Sequence, residues 1–376
     1  MDFGLMFFSS AVSPPGAAAS PGGAYRLLTE AARFADERGF CCVWTPERHF
    51  HPFGGLFPNP SVVGAALAMI TRRIEIRAGS LISPLHEALR IAEDWSVVDN
   101  LSGGRTAISF GAGWNIEDFV LRPEVYAGRQ AHMYRQIEEV RALWRGERIA
   151  RRDSNGREVR VGIYPRPVQP ELPVWVTSSG NVRTFESAGA AGANLLTHLI
   201  GQTLDQTAEK IRRYRAARAE HGHDPETGRV ALMLHTFLGP DLGAVRAKVR
   251  GPFREYLRSA LSLEQLAAAG GGAISGGHRI AAHEIPPSAL EDLLDLTFER
   301  YVHTASLLGT PESCRELLWR VEAAGIDEIA CLIDFLDDAD AVLAGLPSLD
   351  EVRGAFSAPA VAAATEAVAA SFLEDL

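Results

Sequence analysis

The chain is poor in the residues that build staples and metal knuckles. Its 376 residues hold four cysteines, Cys41, Cys42, Cys314 and Cys331. None forms a CxxC pair, and adjacent cysteines rarely bridge. That argues against a disulfide framework and a structural zinc, and fits a reduced cytoplasmic chain with buried thiols. Long apolar runs are missing as well, with none near the ~20 residues that a membrane span needs. The start, Met1-Asp2-Phe3-Gly4, has no basic leader and its apolar run stops at Ser9, so a first strand is expected there rather than a signal peptide. Positive charge is in deficit: 37 Lys and Arg against 47 Asp and Glu leave a net charge of −10. This balance disfavours nucleic acid and anionic membranes as partners. The basic run from Arg145 to Arg160 is interrupted by Glu147, Asp153 and Glu158 and reads as a solvated excursion. No GxGxxG follows the first strand, which argues against an open dinucleotide-binding sheet.

What is present is a repeated alternation of short apolar runs with helical segments. That rhythm predicts parallel strands joined by crossover helices. Eight strands are expected at Phe3–Phe8, Cys42–Trp44, Ile74–Ile82, Thr106–Phe110, Val174–Thr177, Ala193–Thr197, Val230–Phe237 and Glu328–Ile333. Helices between them stop at glycines, as at Gly39, Gly146, Gly192, Gly222 and Gly325, and one opens on Pro60. Eight strands in this order predict an α/β chain folded as a (β/α)8 TIM barrel, a single domain over 1–376. Two stretches break the rhythm. Residues 145–170, after the fourth strand, alternate in polarity around Asn155-Gly156 and predict a β-hairpin. Residues 240–309, after the seventh, exceed any needed connection. They hold the Ala/Gly-rich stretch Ala267–Gly277 and then Pro286-Pro287, and are expected to form a helical or loop insertion.

Barrel chemistry sits at the C-terminal ends of the strands. The fifth strand runs into Ser178-Ser179-Gly180-Asn181 and straight into a helix. Outward-pointing N–H groups and the helix dipole suit a phosphate there, although Ser and Asn would also serve as ordinary caps. Tyr134, near the start of the helix after strand four, could add a hydroxyl or simply pack. Strands three and four end in Gly79-Ser80 and Gly111-Ala112-Gly113, small enough for a flat ring to approach the backbone or for strands to pack closely. The second strand ends in Glu47-Arg48-His49-Phe50-His51, and the sixth in His198. A metal site would need further ligands at other strand ends, and the pattern does not offer them. His49 is a candidate acid or base, or a structural histidine.

Taken in order, these segments resemble the luciferase-like flavin monooxygenases, most of all the subgroup of natural-product gene clusters. The resemblance is carried by Trp44-Thr45-Pro46-Glu47-Arg48-His49-Phe50, by Ala92–Arg105, by Gly111-Ala112-Gly113-Trp114-Asn115, by Val176–Asn181 and by Thr197-His198. It extends from Phe3 to about Ile333. It implies reduced FMN from a separate flavin reductase and O2 as cosubstrate, reacting through a C4a-peroxyflavin. The product would be an oxygenated secondary-metabolite intermediate, by hydroxylation, N-oxidation or Baeyer–Villiger insertion, with the substrate a small molecule or tethered to a carrier protein. It places FMN against Glu47, Gly79, Ser80, Gly111, Gly113, Trp114, Asn115, Tyr134, Ser178, Ser179, Gly180, Asn181 and His198. It further implies a non-prolyl cis peptide at Gly79-Ser80, with Arg48, His49 and Asn115 as catalytic candidates. It also implies a homodimer through the second and third helices. Where luciferases proper have Glu-His-His-Phe, this chain has Glu47-Arg48-His49-Phe50, which points away from light emission. Two rivals keep the flavin site, an F420-dependent oxidoreductase and a non-catalytic flavin-binding or carrier-docking module. A metal-dependent barrel hydrolase is a third.

Overall fold

The structure is a computed structural model that describes residues 1–8, 23–51, 55–269 and 287–357. Its first half follows the expected rhythm: β1 (Asp2–Met6), α1 (Arg26–Arg38), β2 (Cys42–Thr45), α2 (Pro60–Ile70), β3 (Glu75–Ile82), α3 (Ala88–Ser102), β4 (Thr106–Gly111) and α4 (Arg129–Arg145). The excursion is β5 (Ile149–Arg152) and β6 (Glu158–Val161). The rest is β7 (Val174–Ser178), α5 (Val182–Ala190), β8 (Asn194–His198), α6 (Leu204–Glu220), β9 (Val230–Leu238), α7 (Leu242–Ala269), α8 (Pro287–Thr304), β10 (Ser306–Gly309), α9 (Pro311–Ala323), β11 (Glu328–Leu332) and α10 (Ala339–Ser357).

Strands β1, β2, β3, β4, β7, β8, β9 and β11 close a parallel barrel, β11 returning to β1 with Asp2 opposite Glu328 and Met6 opposite Leu332. Local chemistry fixes the helix starts. Asn59 accepts the N–H groups of Ser61 and Val62 ahead of Pro60, and Thr203 forms a reciprocal capping box with Gln206. The hairpin is present: β5 and β6 pair antiparallel, and Gly156 takes the left-handed φ of 76° that the turn requires.

One reading of the insertion is met and one is incomplete. Of the two alternatives for residues 240–309, the described part is helical: α7 and α8 are long helices that pack together, pinned by Arg250 to Asp295 and Glu299 and by Arg254 to Asp295. The insertion also contains β10, a strand the sequence did not reveal. β9 is long enough to serve two partners, pairing through His235 with Leu332 of β11 below and Ser306 of β10 above. Four residues without alternation, wedged between a helix and Gly309, leave no periodic signal. The first loop, Ser9–Gly16, lies outside the described residues, as do Pro286 and all of Ala267–Gly277 beyond Ala269.

The barrel interior holds one charged cluster toward its base. Arg77 is buried with its guanidinium 4.7 Å from the ring centres of both Trp44 and Trp175. It donates to both oxygens of Glu328 at 2.9 Å, and Glu328 also accepts from the Trp44 indole at 3.1 Å and the Cys42 thiol at 3.2 Å. Full hydrogen bonding is what makes such a pair tolerable in a core.

Candidate active site

The loop after β2 supplies the centre of the site. The Glu47 N–H donates to the Ser80 carbonyl at 2.9 Å, tying β2 to the end of β3. Its buried carboxylate accepts from Ile82 N–H at 2.7 Å, from His49 Nε2 at 2.8 Å and from His86 Nε2 at 2.6 Å. Burial works against that charge, but the bonds from His49, His86 and Ile82 outweigh it and hold the carboxyl below its ordinary value. A carboxylate only accepts, so both imidazoles carry their proton on Nε2. Burial likewise opposes charge on His49, yet the bond to Glu47 lifts its pKa above the usual value.

Arg48 lies between two rings, 4.1 Å from Phe8 after β1 and 5.6 Å from Trp114 after β4. Burial lowers its guanidinium pKa, against the pull of Tyr256, Asp118 and Asp334. The Asp334 carboxylate, after β11, accepts the Phe8 N–H at 3.0 and 3.1 Å, so β1 and β11 are pinned together beneath Arg48.

Strand four leads into a short 3-10 segment, Ile116–Leu121, capped by Asn115, whose side chain accepts the Glu117 N–H at 3.2 Å. The Asn115 amide donates to Asp118 at 2.9 Å. Asp118 is buried, and that burial pushes its carboxyl up to about 6, although His49, Arg48 and Asn115 draw it down. Gly113 turns with φ 79°, and a Cβ there would meet Ile82 and Phe119 at 2.8 Å.

The end of β3 has the expected cis peptide between Gly79 and Ser80. A Cβ on Gly79 would meet Trp44 at 2.8 Å, and one on Gly111 would meet Ser80 at 3.1 Å. Ser80, Thr177 and Ser109 form a row of hydroxyls across β3, β7 and β4, each step 2.7 Å.

The third part of the site is the β7–α5 turn. Asn181 caps α5 by accepting the Arg183 N–H at 3.0 Å, and Ser179 is exposed beside it. Gly180 has φ 103°, and a Cβ there would lie 3.0 Å from Gln202 Oε1. Gln202 is held in turn by Lys210 at 2.7 Å and donates to the His198 carbonyl at 2.5 Å. Ser178 is buried, its carbonyl accepting from Thr197 at 2.9 Å. The Tyr134 hydroxyl is buried without an ordinary hydrogen-bond partner, beside Ser187 of α5, and burial pushes its phenol up to about 12.

Two further histidines face each other across β8 and β9. His198 accepts the Ile200 N–H at 3.1 Å and burial lowers it to about 4. His235 is buried among Tyr256, Phe253 and Phe335, with ring centres 4.4, 4.8 and 5.6 Å away, its Nε2 without a partner. Burial, with His198 adding to it, lowers its pKa to about 3.

The structure thus gathers Glu47, Arg48, His49 and Asn115 around the ends of β2 to β4, and Ser178–Asn181 around the start of α5. Glu47 spends its carboxylate on three internal donors, which makes it a support for its neighbours. The sequence reading missed Asp118, His86 and His235. Asn115 and Asp118 stand three apart, the spacing of one turn, and that signal was available. His86 and His235 offered none, the first isolated after Pro84 and the second a lone polar residue in a buried strand.

The family model for luciferase-like monooxygenases matches residues 1–328. The oxygenase component of flavin-dependent trigonelline monooxygenase from Acinetobacter baylyi is 26% identical over 345 residues, covering 89% of this chain and 90% of that one. The oxygenating constituent of 3,6-diketocamphane monooxygenase from Pseudomonas putida, a type II Baeyer–Villiger monooxygenase solved with FMN, superposes with a TM-score of 0.72. The two are 19% identical, over 93% of this chain and 97% of that one. An F420-dependent secondary alcohol dehydrogenase superposes with a TM-score of 0.67 at 17% identity, over 93% and 97% of the two chains. With its barrel closed and the family model spanning most of its length, this chain belongs to the luciferase-like monooxygenases.

Proposed function

We propose that the chain is the oxygenase of a two-component system that takes reduced FMN from a separate flavin reductase and uses O2 to oxygenate a biosynthetic intermediate. The observation that carries this reading is the cradle at the start of α5. Exposed Ser179, the Asn181 cap and Gly180 at φ 103° stand together at the start of α5, where backbone N–H groups suit an anion, with Lys210 behind Gln202 as the nearby positive charge. The buried Tyr134 hydroxyl beside Ser187 of α5 is a further donor for a phosphate in this reading. Gly79 and Gly111 keep the strand ends flat for a ring, and the Ser80–Thr177–Ser109 row supplies hydroxyls along it.

When bound, reduced flavin supplies the electrons that activate O2, chemistry no side chain here can perform. The chain's own part is to orient and to dry the site. Glu47 fixes His49 and His86, and Asn115 fixes Asp118. Arg48, between Phe8 and Trp114, presents a cation with apolar walls. Tyr256 and Phe253 of α7 close over His235 from the other side. The substrate pocket of this reading lies between those two groups, and whether the substrate arrives free or on a carrier protein, it enters from the barrel mouth.

The same reading includes a homodimer. On α2, Val62, Ala66 and Met69 form an exposed stripe, and on α3 Val97 and Leu101 continue it. Among the described residues no helix is long and apolar enough to cross a membrane, and the reading places the enzyme in the cytoplasm. Its test is anaerobic titration with reduced FMN and with reduced F420, then admission of 18O2 in the presence of candidate intermediates. Tight binding of FMN with 18O in a product is expected. Binding of F420 alone, with hydride transfer and no 18O, overturns the reading.

A further inference from the structure

We propose that Asp118 is the acid–base group of this site: a buried carboxyl that takes up and releases a proton close to the working pH while Arg48 and His49 hold its anion. This rests on the flavin-oxygenase reading of the same pocket.

The placement is specific. Asp118 sits in the 3-10 segment after β4, 4% exposed, where a carboxylate would be poorly solvated. Among the described residues its one side-chain hydrogen bond is from Asn115 at 2.9 Å, a single neutral donor, far short of the three that keep Glu47 ionised 2.8 Å from His49. Two carboxyls, one after β2 and one after β4, therefore stand in opposite environments. Glu47 is saturated with donors and charged. Asp118 is under-coordinated, and its protonated form persists to higher pH than in an ordinary aspartate, with a pKa of about 6. Paired carboxyls driven apart in this way commonly divide the labour of a site, one fixed as a charge and one free to exchange a proton.

The charges facing Asp118 set the direction of exchange. His49 and Arg48, from the β2 loop, favour the anion, while Glu47 from the same loop opposes it. His49 uses Nε2 on Glu47, so its Nδ1 is the nitrogen free to change protonation. His86, on the far side of Glu47, carries Arg122 on its backbone carbonyl at 2.9 Å, and Arg122 pairs with Glu87 at 3.2 Å. Those outer charges act on Asp118 only through Glu47 and His49. A proton leaving the Asp118 oxygen goes to a reacting oxygen in the pocket. The negative charge left on Asp118 is met by Arg48 and by imidazolium His49, and the same oxygen regains a proton from solvent before the next cycle.

The reaction asks for such a group even without a substrate. Oxidation of anionic reduced FMN by O2 gives FMN and H2O2 and consumes one proton: FMNH⁻ + O2 + H⁺ → FMN + H2O2. Two measurements test the proposal. In the chain without cofactor, 13C-labelled aspartate is titrated by NMR, and Asp118 is assigned as the resonance missing from Asp118→Asn. Its midpoint is expected near 6, and His49→Gln, which removes a cation, should move it up by roughly half a pH unit or more. In the holoenzyme, oxidation of reduced FMN is followed by stopped flow and H2O2 yield across pH. Asp118→Asn, isosteric and able to keep a bond to Asn115, should slow this oxidation roughly a hundredfold and abolish its acid-dependent limb. His49→Gln should shift that limb in the same direction as the NMR midpoint. An Asp118 resonance that titrates near the ordinary aspartate value, or an Asp118→Asn protein that keeps the wild-type pH limb, overturns the proposal. A protein that binds no reduced FMN fails the flavin reading instead, and the NMR arm still reports on Asp118 by itself.

Discussion

At the scale of single residues, the sharpest contrast is between acids and bases that burial has moved in opposite directions. Asp118 holds its proton up to about 6 when folded, against 3.8 in an open chain. The folded state binds more protons between those values, so this residue's contribution falls as pH rises from about 4 to 6 and stays unfavourable above. The penalty at pH 7 is on the order of 3 kcal/mol. Asp118→Asn is therefore expected to be more stable than the parent at pH 8 and about equal at pH 4, read by urea unfolding at both. His235 behaves the other way. Its folded pKa of about 3 lies below the ordinary 6.5, so its contribution is full above 6.5 and is lost as pH falls toward 3. His235→Phe should narrow the loss of stability between pH 7 and 5, seen in denaturant midpoints, since phenylalanine suits the same aromatic neighbours. At the barrel base, Glu328→Ala would remove the buried partner of Arg77 among Trp44 and Trp175, leaving it only the half-exposed Glu75 at 2.9 Å. Breaking a buried pair costs about 3–5 kcal/mol when no partner remains, and with Glu75 retained this variant should still unfold at clearly lower denaturant.

At the scale of elements, the site is made where strands hand over to turns. The β7–α5 turn depends on Gly180 at φ 103°, a conformation costing other residues about 1–3 kcal/mol. Gly180→Ala would also press a methyl against Gln202. FMN affinity should fall roughly tenfold or more, with the unfolding midpoint lowered by the strain while the chain stays folded, as flavin fluorescence titration and urea unfolding would show. An unchanged affinity would remove the cradle from the flavin reading. Much of this level was legible beforehand. Alternation and glycine stops located the eight barrel strands, and Asn155-Gly156 located the hairpin, because those signals are local. β10 was not legible: its four residues are a strand only because the upper half of β9 extends past β11 and needs a partner there. The α7–α8 pair was read as an insertion of mixed character. Its helices are held to each other by paired charges such as Arg250 with Glu299, and a charge pairing across separate helices leaves no trace in either one's periodicity.

At the scale of the molecule, one apolar feature is unaccounted for by the monomer. Met69 is 70% exposed and Val62 66%, on the same face of α2, beside Val97 and Leu101 of α3. Clustered exposure of this kind marks association surfaces. Met69→Glu with Val97→Glu should convert a dimer to monomers in sedimentation velocity with the far-UV spectrum kept, and a wild-type chain already monomeric would refute the dimer. The sequence by itself determined the barrel, the places where strands end, and the family, since these depend on local periodicity, turn chemistry and ordered motifs. It could name Glu47, Arg48, His49 and Asn115 together because they lie beside their own strands. Only the tertiary structure decided what each does. Glu47 became a charged anchor because His86, thirty-nine residues away, reaches the same oxygen as His49. Asp118 became a proton carrier because the fold buries it beside Arg48 and His49 with one neutral donor. Protonation is set by what surrounds a group in space, and neighbours in space are what a linear sequence does not state.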